Sequence, residues 1–118
     1  MDYKFINTDY LDSVSGGENE MIREIVIMFR EQVVEISNEM KTLLAEKNYH
    51  NLSLLAHKAK SSVAIMGMTD LALILKKFEL QAKEEEETEK YETYIARFRN
   101  DTAEAVKELE DLINKRLK

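Results

Sequence analysis

The sequence predicts an all-α protein, an antiparallel up-and-down four-helix bundle preceded by a short N-terminal helix. Three observations lead there. Proline is absent and glycine occurs only at positions 16, 17 and 67, so little in the 118 residues interrupts a helix. Four long segments carry apolar residues at alternating spacings of three and four, the period of an amphipathic helix. The connections between them are short and marked by capping residues, a glycine or a run of like charge. One domain over residues 1–118 is expected, large enough for a core without metals or disulfides. A continuous coiled coil would need unbroken heptads, and Gly67 with the capping signals divides them.

The first helix is short. Thr8 can cap residues 9–14, and Gly16-Gly17 ends them. Asn19 then serves as N-cap for a long helix reaching about Glu46, whose apolar stripe is Ile22, Ile25, Val26, Phe29, Val33, Ile36, Met40 and Leu43. Met21, Met28 and Met40 are expected to fill gaps in or near the core.

Asn48 caps the next helix, which should close at Met66, with Gly67 supplying a left-handed C-terminal residue. At roughly 100° per residue, Leu52, Leu55, Ala56, Ala59, Val63 and Met66 form one buried stripe. His57 lies roughly 140° away, beside Ser53, Leu54, Lys60, Ser61 and Ala64, and therefore points outward. Its small neighbours leave the imidazole uncovered, while Leu54 and Ile65 add apolar surface that a monomer has little reason to expose.

Thr69 can cap the following helix, defined by Leu71, Ile74, Leu75, Phe78 and Ala82. Within it Glu79 and Lys83 stand at i,i+4 in the favourable order. Residues 84–87, four glutamates, would oppose a helix dipole at a C-terminus, so the turn is placed there, with Thr88 as the next cap. Tyr91, Ile95, Phe98, Thr102, Ala105, Leu109, Leu112 and Arg116 carry the last helix, where Lys115, Arg116 and Lys118 complement the dipole.

Composition removes several function classes. No cysteine means no thiol chemistry and fits a reducing compartment. The longest apolar run, residues 71–75, is too short to span a bilayer, and the N-terminus is acidic rather than signal-like, so a cytoplasmic, non-membrane protein is expected. A net charge of −6 argues against nucleic acid as partner. Between positions 56 and 83, however, Lys58, Lys60, Lys76, Lys77 and Lys83 outweigh Asp70 and Glu79, a locally basic face suited to an acidic partner or a phosphoryl group. His50 and His57 are seven apart, about 10 Å along the axis, too far for one metal ion to take both easily. Three glycines cannot write a phosphate loop or a dinucleotide fingerprint. A hydrolase with His57 as base lacks an evident nucleophile and orienting carboxylate.

Ala56-His57-Lys58-Ala59-Lys60-Ser61-Ser62, then Gly67, Leu71 and Phe78-Glu79, resembles the histidine-containing phosphotransfer (HPt) domain, whose pattern runs Ala-His-x-Leu-Lys-Gly-Ser, then Gly, Leu, and an apolar residue followed by Glu or Gln. Tyr10-Leu11, Gly16-Gly17-Glu18 and Phe29 resemble the family's N-terminal lead-in. Two positions depart: Ala59 stands for a leucine, loosening a core contact, and Ser61 for a glycine one turn from His57, narrowing a partner's approach.

The resemblance implies that His57 accepts a phosphoryl group from a receiver-domain aspartate in a two-component phosphorelay and passes it to another. It also implies that Lys60 attracts the phosphoryl oxygens, with Ser61, Ser62, Gly67, Glu79 and Lys83 in support. Leu54, Lys58, Ala64 and Ile65 would form the docking surface. The partner would be the receiver of a response regulator or hybrid sensor kinase, which brings the Mg²⁺; the chain itself would be a monomeric carrier with no cofactor and no nucleotide site, not an enzyme. The alternative is a helical interaction module that uses the Leu54/Ile65 surface without chemistry.

Overall fold

The computed structural model describes residues 3–116, with the side chains of Val14 and Arg116 left aside. Five α-helices follow one another: α1 Thr8–Ser15, α2 Asn19–Ala45, α3 Tyr49–Ile65, α4 Thr69–Lys83 and, after a 3₁₀ turn Thr88–Lys90, α5 Tyr91–Arg116. There is no strand among the described residues. The four long helices alternate direction, as short connections require: α3 packs on α2 and α4, and α5 closes the bundle against α2 and α4.

The apolar stripes meet along the bundle axis as their periodicity demands. Phe29, Met40, Leu52, Val63, Leu75, Phe78, Tyr91, Phe98 and Leu109 are all within the core. Each fully buried large side chain contributes about 1.5–3 kcal/mol relative to exposure. Ala59 and Ala56 are both completely enclosed. Small side chains there let α3 approach α4 closely enough for Ser53 Oγ to donate to the Glu79 main-chain carbonyl at 2.9 Å.

Several local expectations are corrected. Asn7, not Thr8, caps α1, its side chain accepting from the Tyr10 amide at 3.0 Å. Asn19 and Thr69 are first helical residues; the caps are Glu18 and Met68, neither with a side-chain cap bond. Asn48 does cap α3, accepting from the Asn51 amide at 3.3 Å. Met40 is buried, but Met21 and Met28 are exposed, Met28 by 68%. Ser53 is buried rather than outward, because in a bundle a helix meets two neighbours and its hidden arc is wider than one stripe. Ile74 and Ile25 are only partly buried.

The N-terminal segment is held across one end of the bundle by contacts a hundred residues apart in sequence. The amides of Lys4, Phe5 and Ile6 all donate to the Glu108 carboxylate, at 3.1, 2.9 and 3.2 Å. The Asn7 amide donates to Met66 O at 3.1 Å, directly beside Gly67. Gly67 has φ +75°, and a Cβ there would stand 2.5 Å from Asn7 Cβ. Both the left-handed turn and the passing strap exclude a side chain.

Candidate functional site

The site is built on the edge where α3 meets α4. His57 leaves the exposed arc of α3, with 58% of its side-chain surface open. Its Nδ1 lies 3.0 and 3.1 Å from the two Glu79 carboxylate oxygens across the groove. Lys60, one turn along α3, donates from Nζ to Glu79 Oε1 at 3.2 Å. Glu79 is thus shared by both cation-forming groups, and it is held in place from behind by the Ser53 bond to its own carbonyl.

Burial alone would push the Glu79 carboxyl up, but the hydrogen bonds from Lys60 and His57, with their charges, outweigh it and hold the group below its ordinary value. At neutral pH Glu79 is therefore a carboxylate, which only accepts hydrogen bonds. The imidazole nitrogen facing it must be the one that carries hydrogen. In neutral His57 the lone pair is then on Nε2, away from Glu79. This is the geometry of an oriented nucleophile.

The remaining residues singled out from the sequence divide by position. Ser61 is exposed, its Oγ donating to the His57 carbonyl at 3.3 Å. Ser62 is buried and faces α2, where its Oγ meets Gln32 Oε1 at 2.7 Å, with the Lys58 carbonyl at 3.2 Å. Lys83 is exposed and Glu79 turns to His57 and Lys60 instead of pairing with it along α4. Gly67 closes the far end of α3 against Asn7. Leu54, Lys58, Ala64 and Ile65 are exposed around His57, Leu54 by 58% and Ile65 by 45%. His50 is exposed near the start of α3.

The structure adds Ser53 and Gln32, which tie α3 to its two neighbours on either side of His57, and the exposed apolar residues Met28, Leu73 and Leu80. The heptad spacing of Leu73 and Leu80, outside the α4 core stripe, was the available signal for the last two. A surface groove of about 530 Å³ between α2 and α5 is lined by none of the residues of the His57 site. Among the described residues no three His, Asp or Glu side chains converge as metal ligands. No helix among them is long and apolar enough to cross a membrane.

A bundle with one oriented, open histidine on its second long helix defines a class of protein, and comparison with known families agrees. The family model described as Hpt domain matches residues 24–115, and the chain belongs to that family. Comparison with curated proteins and with solved structures gives no significant match. The matched span contains α3 and α4 whole, with every residue of the His57–Lys60–Glu79 cluster. Hpt domains are phosphocarriers that work with receiver domains in two-component phosphorelays.

Proposed function

We propose that His57 is the phosphoryl acceptor, taking the group from a receiver-domain aspartate and returning it to another. The observation that carries this reading is the Nδ1 contact with Glu79, which leaves Nε2 of an open imidazole as the reactive nitrogen. In the forward step the Nε2 lone pair attacks phosphorus, the N–P bond forms, the acyl O–P bond breaks and the aspartate leaves as carboxylate. Little covalent machinery is needed beyond positioning and charge neutralisation.

Lys60 stands one turn from His57 and is placed to turn from Glu79 towards the incoming oxygens. The partner brings the aspartate and its Mg²⁺. Leu54, Lys58, Ala64 and Ile65 receive it, and Ser61, Ser62, Gly67 and Lys83 support the site by position, packing or charge. The chain acts as a monomeric carrier in the cytoplasm, a location the absence of cysteine favours.

Transfer from a phosphorylated receiver to the wild type, His50→Gln and His57→Gln tests the assignment. His57→Gln should lose all label while keeping helicity and receiver binding, because an exposed polar replacement changes stability by no more than about 0.5 kcal/mol. The label should be acid-labile and base-stable. A pure interaction module would bind the receiver and take no label in any form, and label persisting on His57→Gln would sink the assignment.

A further inference from the structure

His57 stands where α3 meets α4, whereas the groove of about 530 Å³ lies between the other two long helices, α2 and α5. Its middle is apolar: Val33 is buried, Val106 half-buried, and Ala103 and Val34 stay open to solvent, Val34 by 58%. The volume suits a small organic molecule, for which sites of roughly 300–1,000 Å³ are usual.

Two observations give the groove a chemistry. The first is charge. Its charged lining residues are Arg30, Arg99 and Lys107, with no acid among them, in a chain of net charge −6. Glutamates that do not line the groove hold two of these, Glu110 on Arg30 at 3.4 Å and Glu104 on Lys107 at 3.3 Å. Arg99 has no ion-pair partner among the described residues. Because α2 and α5 run antiparallel and Arg30 meets Glu110, Arg99 stands at the Ser37–Asn38 end of the groove and Arg30 at the other.

The second is Ser37, only 7% exposed, whose hydroxyl finds no hydrogen-bond partner among the described residues. Among those residues no fully enclosed side-chain polar atom lacks a partner, so the Ser37 oxygen must reach the groove that its residue lines. Buried hydroxyls are ordinarily bonded, and an unpaired one costs stability. Thr102 shows the ordinary case: buried on the α5 wall of the same groove, it donates to the Phe98 carbonyl at 2.6 Å.

The geometry points to this groove as a binding site for a medium-chain organic carboxylate. Its charged head pairs with Arg99 and accepts from Ser37 Oγ, and its apolar body lies over Val33, Val34, Ala103 and Val106, within the roughly 12 Å of helix that residues 99–107 span. The site shares no residue with the His57 face, so it stands or falls apart from the acceptor assignment.

Titration of the whole chain with octanoate, followed by amide resonances, tests the site. Octanoate should shift residues 33–38 and 99–107 saturably and leave 54–65 unmoved. 1-Octanol has the same body without the charge and should bind about tenfold more weakly or worse, the scale of lost hydrogen bonds to a charged group. Arg99→Glu should abolish the octanoate shifts, and Arg99→Lys should keep part of them. Ser37→Ala should weaken binding several-fold with no loss of stability, because its hydroxyl gives the fold no bond. Equal binding of 1-octanol, shifts spread over the chain without saturation, or undiminished binding by Arg99→Glu would overturn the site. Two more outcomes would overturn it by giving the groove another occupant: shifts at the same residues that follow protein concentration without octanoate, which mean a second copy, and shifts there with an oligoglutamate peptide but not with octanoate, which mean an acidic protein segment.

Discussion

The His57 face and the α4–α5 turn both set polar groups between helices, and they satisfy them in different ways. At the turn, Tyr91 is completely buried, with its hydroxyl 2.8 Å from Gln81 O and 2.6 Å from Glu86 O. Its ring packs on Phe78 and, edge-on, on Tyr49. The hydroxyl holds a turn in which Glu85 and Glu87 adopt left-handed backbone at φ 54° and 52°, a conformation that non-glycine residues disfavour. At the His57 face the polar groups satisfy one another, His57 to Glu79 to Lys60, and the imidazole stays open. A polar group bonded to backbone inside the core locks a fold; one bonded to a movable side chain at the rim remains available to a third molecule.

Substitutions on the two sides should therefore read out differently. The largest effect belongs to Ser61→Arg, which lays a long side chain over the exposed arc beside His57: transfer should be blocked, with helicity intact and stability within about 0.5 kcal/mol of wild type. Transfer at the wild-type rate would mean that the partner does not approach over this face. Ser61→Gly should change the rate only modestly.

Next comes Tyr91→Phe, which should leave transfer untouched and cost about 1 kcal/mol through the lost bond to Glu86 O, measured by urea unfolding. The same residue gives a pH signature. Burial, with the nearby Tyr49, Glu85, Glu86 and Glu89, pushes the Tyr91 phenol up to about 12. A raised value means the unfolded chain releases this proton first, so the stability it supports is complete below about pH 10 and is lost as pH rises towards 12. Tyr91→Phe should flatten that alkaline loss, and an unchanged alkaline profile would place its origin elsewhere. The smallest effect is Lys60→Ala, which removes one partly exposed charge worth about 1 kcal/mol and should slow transfer several-fold without abolishing it.

How much of this was legible in the sequence differs between the same two regions. The core stripes of α2, α3 and α5 followed the helical period, because burial against a bundle axis repeats every turn. Outward-pointing His57 came from the wheel, and a supporting place for Glu79 and Lys83 near it from the family pattern; the bonds of Glu79 to His57 and Lys60 cross between helices, and its i,i+4 spacing to Lys83 did not announce them. Caps were less legible: Thr8, Asn19 and Thr69 have suitable side chains, yet the helix starts are set by neighbours such as the Asn7 amide bond to Met66 O. The Glu108 clasp on residues 4–6 and the Ser62–Gln32 bond join positions far apart in sequence, and nothing local announces them. Ser53 reads as outward on a wheel that knows of one neighbour, and α4 is the second.

If His57 is the phosphoryl acceptor, one nitrogen of one histidine carries the group, and a nitrogen–phosphorus correlation spectrum of the phosphorylated chain reads out which. The expected result is a single phosphorus coupled to Nε2 of His57, with hydrogen on Nδ1 and His50 unmodified. Phosphorus on His50, or on the Nδ1 that faces Glu79, would contradict it.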